Sequence, residues 1–141
     1  MCNDPSYTSF GIVHRRHKKN VRILLVQEYG NQVIRWKLAG GKSEQGERDP
    51  RQTLTRELQE KVSVTLNEAC VGPQVLRLPL DTHTFNVYAV TIGRRHGPRM
   101  NPQKVDRMRW FYAQEIEYLI MHNRVVARHA KALRSFLLYH M

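Results

Sequence analysis

The sequence is poor in cysteine and contains no long apolar run. Its two cysteines, Cys2 and Cys70, are too few for a disulfide framework or a zinc site, so both are interpreted as free thiols. There is no stretch of about 18 apolar residues and no basic-then-apolar leader, so neither a membrane span nor a signal peptide is indicated. The default expectation is a cytoplasmic protein without a membrane partner.

Linkers and internal repeats are also lacking. The 141 residues suit one domain, and a hydrophobic content of 41% is enough for a single core. Residues 1–141 are therefore predicted to form one domain.

Acidic residues are scarce: the chain has 12 Asp and Glu and 23 Lys and Arg, which gives a net charge of +11. Such a charge favours polyanionic partners but says little about the fold. Each basic segment alone is most simply a solvated face, yet together they leave RNA, a long polyphosphate or another acidic ligand open as a partner. The cations concentrate in HRRHKK at 14–19, in RRHGPR at 94–99, and in a last helix with Arg124, Arg128, Lys131 and Arg134.

A capped amphipathic helix is the clearest local signal. Asp49 is a good N-cap, Pro50 suits the first helical position, and Gln52 lies where a capping box expects Glu or Gln. The helix is therefore predicted to begin at Pro50. A core stripe follows at a spacing of four residues: Leu54, Leu58 and Val62.

Two carboxylates project from a neighbouring face of this helix. Glu57 and Glu60 lie roughly 60° apart at about 100° per residue, so they share one rigid surface. Hard cations such as Mg²⁺ take oxygen ligands, usually one or two carboxylates plus the phosphates of a substrate. The pair suits a phosphate-bound metal, and the alternative interpretation is a solvated acidic face.

The residues before the helix extend this pattern, with WKLAGGK at 36–42 and Gly46-Glu47 in the intervening loop. The whole stretch resembles the Nudix box, G-x5-E-x7-R-E-U-x-E-E-x-G-U, where U is aliphatic. Trp36 and the later Arg109-Trp110-Phe111 look similar to flanking features of that family, which extends the resemblance to most of the chain. The residues that fill the slots of the box are Gly41, Glu47, Arg56, Glu57, Leu58, Glu60 and Val64.

The resemblance implies an α/β protein with the Nudix-type α/β/α sandwich around a central mixed sheet. The hydrophobic patterning agrees with this order of elements. A basic turn is predicted at 14–20 and an exposed loop at 94–102. Strands are predicted at 10–13, 21–27, 32–38, 74–80, 84–92 and 108–112, and further helices at 113–121 and 124–139.

Three departures from the box stand out. One extra residue separates Glu47 from Arg56, and the helix cap assigns it to Arg48 in the loop, so the helix register is expected to survive. Ser63 replaces a glycine near the helix end, where a left-handed conformation is often required. Lys61 replaces the second glutamate of the E-E pair, which the family usually employs as a metal ligand.

Lys61 leaves three interpretations open. If it points inward, it repels a cation by about 4 kcal/mol per unit-charge pair at about 4 Å and an effective dielectric near 20. If it points outward, it pairs with Glu57, and Glu57, Glu60 and the Gly40 carbonyl still hold one metal. As a point cation it binds phosphate itself, which favours binding over hydrolysis.

The resemblance implies a role for each residue by its position in the box. Glu57, Glu60 and the Gly40 carbonyl are the ligands for Mg²⁺ or Mn²⁺, and Glu47 is a weaker ligand candidate because of the extra residue beside it. Glu57 is also the candidate base, and Arg56 orients the glutamates through charge-assisted hydrogen bonds. The candidates for substrate binding are Lys42, Lys61 and Trp36.

Two functions remain open. The first is a hydrolase that cleaves a nucleoside diphosphate linked to another group, while metal ions neutralise the pyrophosphate and a carboxylate activates water. The second is a catalytically inactive Nudix-fold module that binds a nucleotide or RNA. The joint presence of Arg56, Glu57 and Glu60 favours the hydrolase, although the loop 99–106 adds only Asp106 as a further acid. Homodimers are common among the proteins that the chain resembles.

Overall fold

A computed structural model describes residues 6–28 and 35–140, whose strands form one six-stranded sheet. The strands are β1 Tyr7–His17, β2 Asn20–Gln27, β3 Ala39–Lys42, β4 Gln74–Pro79, β5 Thr84–Thr91 and β6 Arg107–Tyr112. Their order is β4-β5-β1-β2-β6, and β3 pairs with β1 outside this row. Because β1 and β5 are parallel and the other pairs are antiparallel, the sheet is mixed.

Helices cover both faces of the sheet. Successive strand residues face opposite sides, and Ile12 belongs to a buried cluster with Phe136, whereas its neighbour Val13 belongs to a second cluster with Leu58. The predicted α/β/α sandwich around a mixed sheet is thereby confirmed. The helices are α1 Pro50–Val62, α2 Ala113–Met121 and α3 Ala127–His140.

The caps of α1 agree with the sequence in most respects. The Asp49 carboxylate accepts a hydrogen bond from Arg51 N at 2.8 Å, and Ser63 takes the left-handed conformation with φ 58°. The side chain of Gln52, however, accepts from the N–H of Arg48 at 3.3 Å, one residue earlier than a capping box requires. The loop thus absorbs the extra residue, and the helix register is kept.

The N-terminal hairpin is longer than predicted. β1 continues to His17 and β2 begins at Asn20, so the turn predicted at 14–20 contracts to Lys18 and Lys19. The residues from 14 to 17 are strand because each of them pairs with a residue of β2. The basic segment therefore extends the sheet instead of forming a broad loop.

Two boundaries around Trp36 also differ from the prediction. Of the strand predicted at 32–38, the first three residues lie outside the described residues, and Trp36 forms only an isolated bridge with Val125. Trp36 N also donates to Arg124 O at 2.7 Å. Because these contacts engage the backbone there, the last helix begins at Ala127 instead of at 124.

The loop predicted at 94–102 covers the C-terminal end of α1. Arg99 N donates to Val62 O at 2.8 Å, and Asn101 N donates to Lys61 O at 3.0 Å. These bonds satisfy carbonyls that the end of a helix leaves without partners. The loop thus holds the helix end that carries Lys61.

The features that the sequence lacks can be checked over the residues that the structure describes. No helix among them is long and apolar enough to cross a bilayer. Cys70 is a free, exposed thiol, as predicted, and Cys2 lies outside the described residues.

Candidate functional site

Two adjacent glycines of β3 face β1 and helix α1. Gly40 has φ 152°, and a Cβ there would lie 2.1 Å from the backbone oxygen of Ser9. A Cβ on Gly41 would lie 2.6 Å from the carboxyl carbon of Glu57. The first glycine is therefore required by the pairing of β3 with β1, and the second leaves the space that the Glu57 carboxylate fills.

Gly40→Ala is expected to lower the free energy of unfolding by about 3 kcal/mol, because the backbone is strained for an L side chain and the clash is with another backbone. Urea unfolding at neutral pH measures the change. Gly97→Ala is the matched control, since a Cβ at Gly97 meets no atom within 4 Å. Equal stabilities for the two variants would contradict the requirement for glycine.

Glu47 is held by a forked ion pair with Arg56. Arg56 Nε donates to Glu47 Oε2 at 2.8 Å, and Arg56 Nη2 donates to Glu47 Oε1 at 3.1 Å. Glu47 Oε1 also accepts from Thr53 Oγ1 at 2.8 Å and from Glu44 N at 2.7 Å. Hydrogen bonds from Arg56, chiefly, lower the pKa of Glu47 to about 2, against the opposing effect of its partial burial.

The same guanidinium reaches the two glutamates of the helix. Arg56 Nη1 donates to Glu57 Oε1 and to Glu60 Oε2, both at 3.1 Å. The other terminal nitrogen, Nη2, also donates to Lys42 O at 2.9 Å. Arg56 therefore gathers the carboxylates of the box, as expected of a residue that orients them.

Lys61 points inward. Its Nζ donates to Gly40 O at 2.6 Å and to Glu28 Oε1 at 2.5 Å, and it lies 3.5 Å from Glu57 Oε2. Only 11% of its side chain is exposed. Lys61 thus has the inward position of the first interpretation that the sequence left open, although it also pairs with Glu57, as the second interpretation expected.

Glu28 and Lys37 join this arrangement and were missed in the sequence. Lys37 Nζ lies 3.2 Å from Glu28 Oε2, so Glu28 bridges two ammonium groups. Burial lowers the pKa of Lys37, although the Glu28 carboxylate opposes this shift. The local sequence carries no signal for either residue, because Glu28 follows β2 and meets Lys61 only through the fold. These contacts define the glycine–glutamate site: Glu28, Lys37, Gly40, Gly41, Glu47, Arg56, Glu57, Glu60 and Lys61.

A divalent cation does not fit this arrangement. Gly40 O is bound to Lys61, Glu57 Oε1 is bound to Arg56, and Glu57 Oε2 makes no hydrogen bond and faces the Lys61 ammonium. A dication between these oxygens would have to displace that ammonium, since like charges about 4 Å apart repel by about 4 kcal/mol per unit pair at an effective dielectric near 20. Over the described residues, no three His, Cys, Asp or Glu side chains are grouped to hold a metal ion.

The remaining predicted residues divide into exposed and buried groups. Lys42 is exposed beside the site, so its ammonium is accessible to a ligand. Trp36, by contrast, is only 9% exposed and packs edge-on against Phe111 at 4.9 Å. The ring of Trp36 therefore belongs to the core, and its role in substrate binding stays a prediction. Asp106 is exposed and has no ion pair among the described residues.

A family model described as NUDIX domain matches residues 6–136. A search of curated protein sequences finds no match.

Several solved structures share the fold. The NUDIX domain of Shewanella oneidensis NrtR, complexed with ADP ribose, has a TM-score of 0.77 and 15% identity over 99% of this chain and 91% of that chain. A C. elegans Ap4A hydrolase binary complex has a TM-score of 0.70 and 16% identity over 94% and 96%. The T. brucei MERS1–RNA complex has a TM-score of 0.68 and 15% identity over 82% and 54%. The chain spans less than half, 45%, of a similar MutT/nudix family protein from Enterococcus faecalis.

Proposed function

Because this chain belongs to the NUDIX domain family, whose model matches residues 6–136, we propose that it binds a nucleotide that carries a diphosphate group and that it does so without a divalent metal. In this proposal the glycine–glutamate site is a binding site, and hydrolysis is weak or lost. The ligand class is the one that the family resemblance implies.

The position of Lys61 carries this proposal. Its ammonium lies 2.6 Å from Gly40 O and 3.5 Å from Glu57 Oε2, two of the oxygens that were expected to hold the metal. A positive charge is therefore already present beside these oxygens, and it is covalently attached to the chain. An ammonium binds phosphate oxygens as a point charge, but it cannot coordinate and activate a water molecule as a metal does.

The rim of the site suits an anionic ligand. Lys42 is exposed there, and Lys104 Nζ lies 3.9 Å from Glu60 Oε2 with about half of its side chain, 52%, exposed. Lysines in such positions make charge-assisted hydrogen bonds to phosphate. The complex of the NrtR NUDIX domain with ADP ribose supports ADP-ribose as the first probe for this chain.

A second candidate function is hydrolysis of such nucleotides with Mg²⁺ or Mn²⁺. The observation that favours it is Arg56, which still holds Glu47, Glu57 and Glu60 together as the box requires. The likeness to an Ap4A hydrolase adds support. In this case a ligand or metal would have to displace the Lys61 ammonium from Gly40 O.

One calorimetric titration separates the two functions. ADP-ribose is titrated into the protein in excess EDTA and then in Mg²⁺ or Mn²⁺. On the same samples, the release of adenosine mono-, di- and triphosphates from ADP-ribose and Ap4A is measured. We expect binding that EDTA does not change, and weak or no turnover. Binding or turnover that appears only with the metal would overturn the proposal and favour the hydrolase.

A pair of lysine variants tests whether the ligand occupies this site. Lys42→Ala is expected to weaken ADP-ribose binding about 10-fold, because it removes one hydrogen bond to a charged group. Lys131→Ala, which removes an exposed lysine of α3, should leave the affinity unchanged. If both variants weaken binding equally, the ligand responds to net charge and not to this site.

A further inference from the structure

The basic hairpin continues one face of the sheet. Arg15 of β1 is directly opposite Arg22 of β2, and Arg22 is directly opposite Tyr112 of β6. Side chains at such opposed positions point to the same face. Three adjacent strands therefore present a row of two arginines and a tyrosine, on the face that carries Val13 and the α1 cluster farther along.

The arginines of this row pack on aromatic rings. The Arg15 guanidinium carbon lies 4.5 Å from the ring centre of Trp110. The Arg22 guanidinium carbon lies 5.0 Å from the ring centre of Tyr112, and Arg22 Nη2 donates to the Tyr112 hydroxyl at 2.7 Å. These contacts hold the two guanidinium groups in fixed orientations.

Two basic segments that are far apart in the sequence converge at this row. The hairpin residues and Arg94, which follows β5, surround one surface depression of about 440 Å³. Arg94 of the second basic segment therefore lies beside the first segment on one surface, a convergence that the sequence left undecided. The basic face is defined as the residues around this depression with the two aromatic rings: Arg15, Arg16, His17, Lys18, Arg22, Arg94, Trp110 and Tyr112.

Within the part of the chain that the structure describes, no arginine or lysine of this face is paired with a carboxylate. The eight ion pairs among the described residues all lie around the glycine–glutamate site, and none involves an arginine or lysine of the basic face. Among the described residues, the carboxylates that form ion pairs therefore lie around the glycine–glutamate site, and the arginines and lysine of the basic face form none.

Several features of the basic face destabilise the folded protein. Arg15 and Arg22 are like charges directly opposite each other, which destabilises a strand pair. Lys18 has φ 58° in a two-residue hairpin turn, where glycine or asparagine is preferred. Arg22 Nε is buried and has no hydrogen-bond partner in the described structure. An anionic ligand would relieve the repulsion between the two arginines.

We propose that the basic face binds single-stranded nucleic acid. Lys18 and Arg94 are exposed and placed to contact phosphates, and Arg16, which strand alternation directs to the other side of β1, borders the same depression. The guanidinium planes held on Trp110 and Tyr112 offer surfaces on which unpaired bases stack. Unpaired strands are favoured because their bases are free to stack on these guanidinium planes, whereas the bases of a duplex are already stacked on one another.

This site is separate from the glycine–glutamate site. Gly41 pairs with Ser9 near the start of β1, whereas Arg16 lies near the end of the same strand. Seven residues of extended strand span about 23 Å at roughly 3.3 Å per residue. Failure of nucleic-acid binding would therefore leave the proposed nucleotide site untouched, and the reverse also holds.

Fluorescence anisotropy with labelled oligonucleotides of about 12 nucleotides tests the proposal. The oligonucleotide probes are oligo(U), oligo(dT) and a duplex of the same length, each over a range of salt concentrations. Binding to vesicles that contain phosphatidylserine is measured separately over the same salt range. We expect salt-sensitive binding of the single strands and clearly weaker binding of the duplex and the vesicles. Tighter binding to oligo(U) than to oligo(dT) would identify RNA as the ligand, and equal binding would identify single strands of either kind.

Matched charge variants locate the binding. Arg15→Gln with Arg22→Gln is expected to weaken oligonucleotide binding at least about 10-fold and to flatten the salt dependence, because two phosphate or base contacts are lost. Lys131→Gln with Arg134→Gln removes the same charge from the exposed face of α3 and should change affinity by less than about 2-fold. Arg16→Gln with Arg94→Gln, at two exposed positions, repeats the test without disturbing the packed arginines.

The proposal is overturned by any of three results. Equal weakening by the basic-face and α3 variants would mean that net charge alone attracts the strand. Duplex binding as tight as single-strand binding would remove the role of unpaired bases. Vesicle binding that depends on Arg15 and Arg22, without oligonucleotide binding, would assign the face to a membrane surface.

Discussion

Lys61→Glu is expected to raise the affinity of the glycine–glutamate site for Mg²⁺ and Mn²⁺ by at least about 100-fold. The substitution removes the ammonium from Gly40 O and Glu57 Oε2 and adds a carboxylate at the position where the family usually has a metal ligand. It changes the charge beside a dication by two units. Even at about 1 kcal/mol per unit-charge pair, the value for water at about 4 Å, the four pair interactions predict a large change in affinity.

Calorimetric titration with MgCl₂ and MnCl₂ measures this change. Lys104→Glu is the matched control, because it makes the same charge change at a side chain that is 52% exposed and 3.9 Å from Glu60. Solvent screening should limit its effect to less than about 10-fold. Lys61→Gln separates the removal of the ammonium from the gain of a ligand, and it should give an intermediate affinity.

The result also distinguishes the two candidate functions. If Lys61→Glu gains both metal binding and turnover of ADP-ribose or Ap4A, the remainder of the catalytic machinery is intact and Lys61 alone blocks it. A wild-type protein that already binds Mg²⁺ as tightly as Lys61→Glu would contradict the inward position of Lys61 as a barrier to metal.

Arg56→Met is expected to lower the free energy of unfolding by about 3 kcal/mol at neutral pH, since it leaves several partly buried carboxylates without their shared partner. The side chains of Arg56 and Glu47 are only 20% and 10% exposed, so solvent replaces the lost bonds poorly. Urea unfolding of the variant and the wild type measures the difference.

The pH dependence of stability gives an independent readout. Arg56 lowers the pKa of Glu47 to about 2 in the folded protein, below a value of about 4.3 in an unfolded chain. The stabilisation from Glu47 is therefore fully present above about pH 4.3 and is lost as the pH falls through about 2. In Arg56→Met the pKa of Glu47 should rise towards its ordinary value, so this acid-dependent loss should shrink.

Arg48→Met is the matched control for this experiment. Arg48 is the extra residue of the loop and is exposed, and its backbone N–H, not its side chain, bonds to Gln52. It should change stability by less than about 0.5 kcal/mol and leave the acid dependence unchanged. Equal losses in the two variants would mean that Arg56 has no special role in holding the glutamates.

The helix that carries the glutamates of the site could be predicted from the sequence, because its signals are local. The cap at Asp49, proline at the first helical position and the spacing of Leu54 and Leu58 depend on residues within one or two helical turns. The register of Arg56, Glu57 and Glu60 follows from that helix start, so it survived the extra loop residue. The left-handed Ser63 was predictable for the same reason, because a helix end imposes it.

Misplaced boundaries had causes outside the local sequence. Pairing between strands extended the basic segment into β1, and contacts with Trp36 delayed the start of the last helix. Trp36 is buried because Phe111, which lies far along the chain, packs against its ring. An aromatic residue in a strand has the same local pattern whether it faces a ligand or the core.

The sequence by itself determined the fold family, the helix that carries the glutamates and the presence of a lysine where a metal ligand was expected. Only the tertiary structure decided where that lysine points, because its partners Glu28 and Gly40 are 33 and 21 residues away. It also decided that Arg94 meets residues 15–18 of the hairpin at one surface depression. Long cationic side chains have little intrinsic preference for direction, so the carboxylates and carbonyls that the fold brings within reach determine their positions.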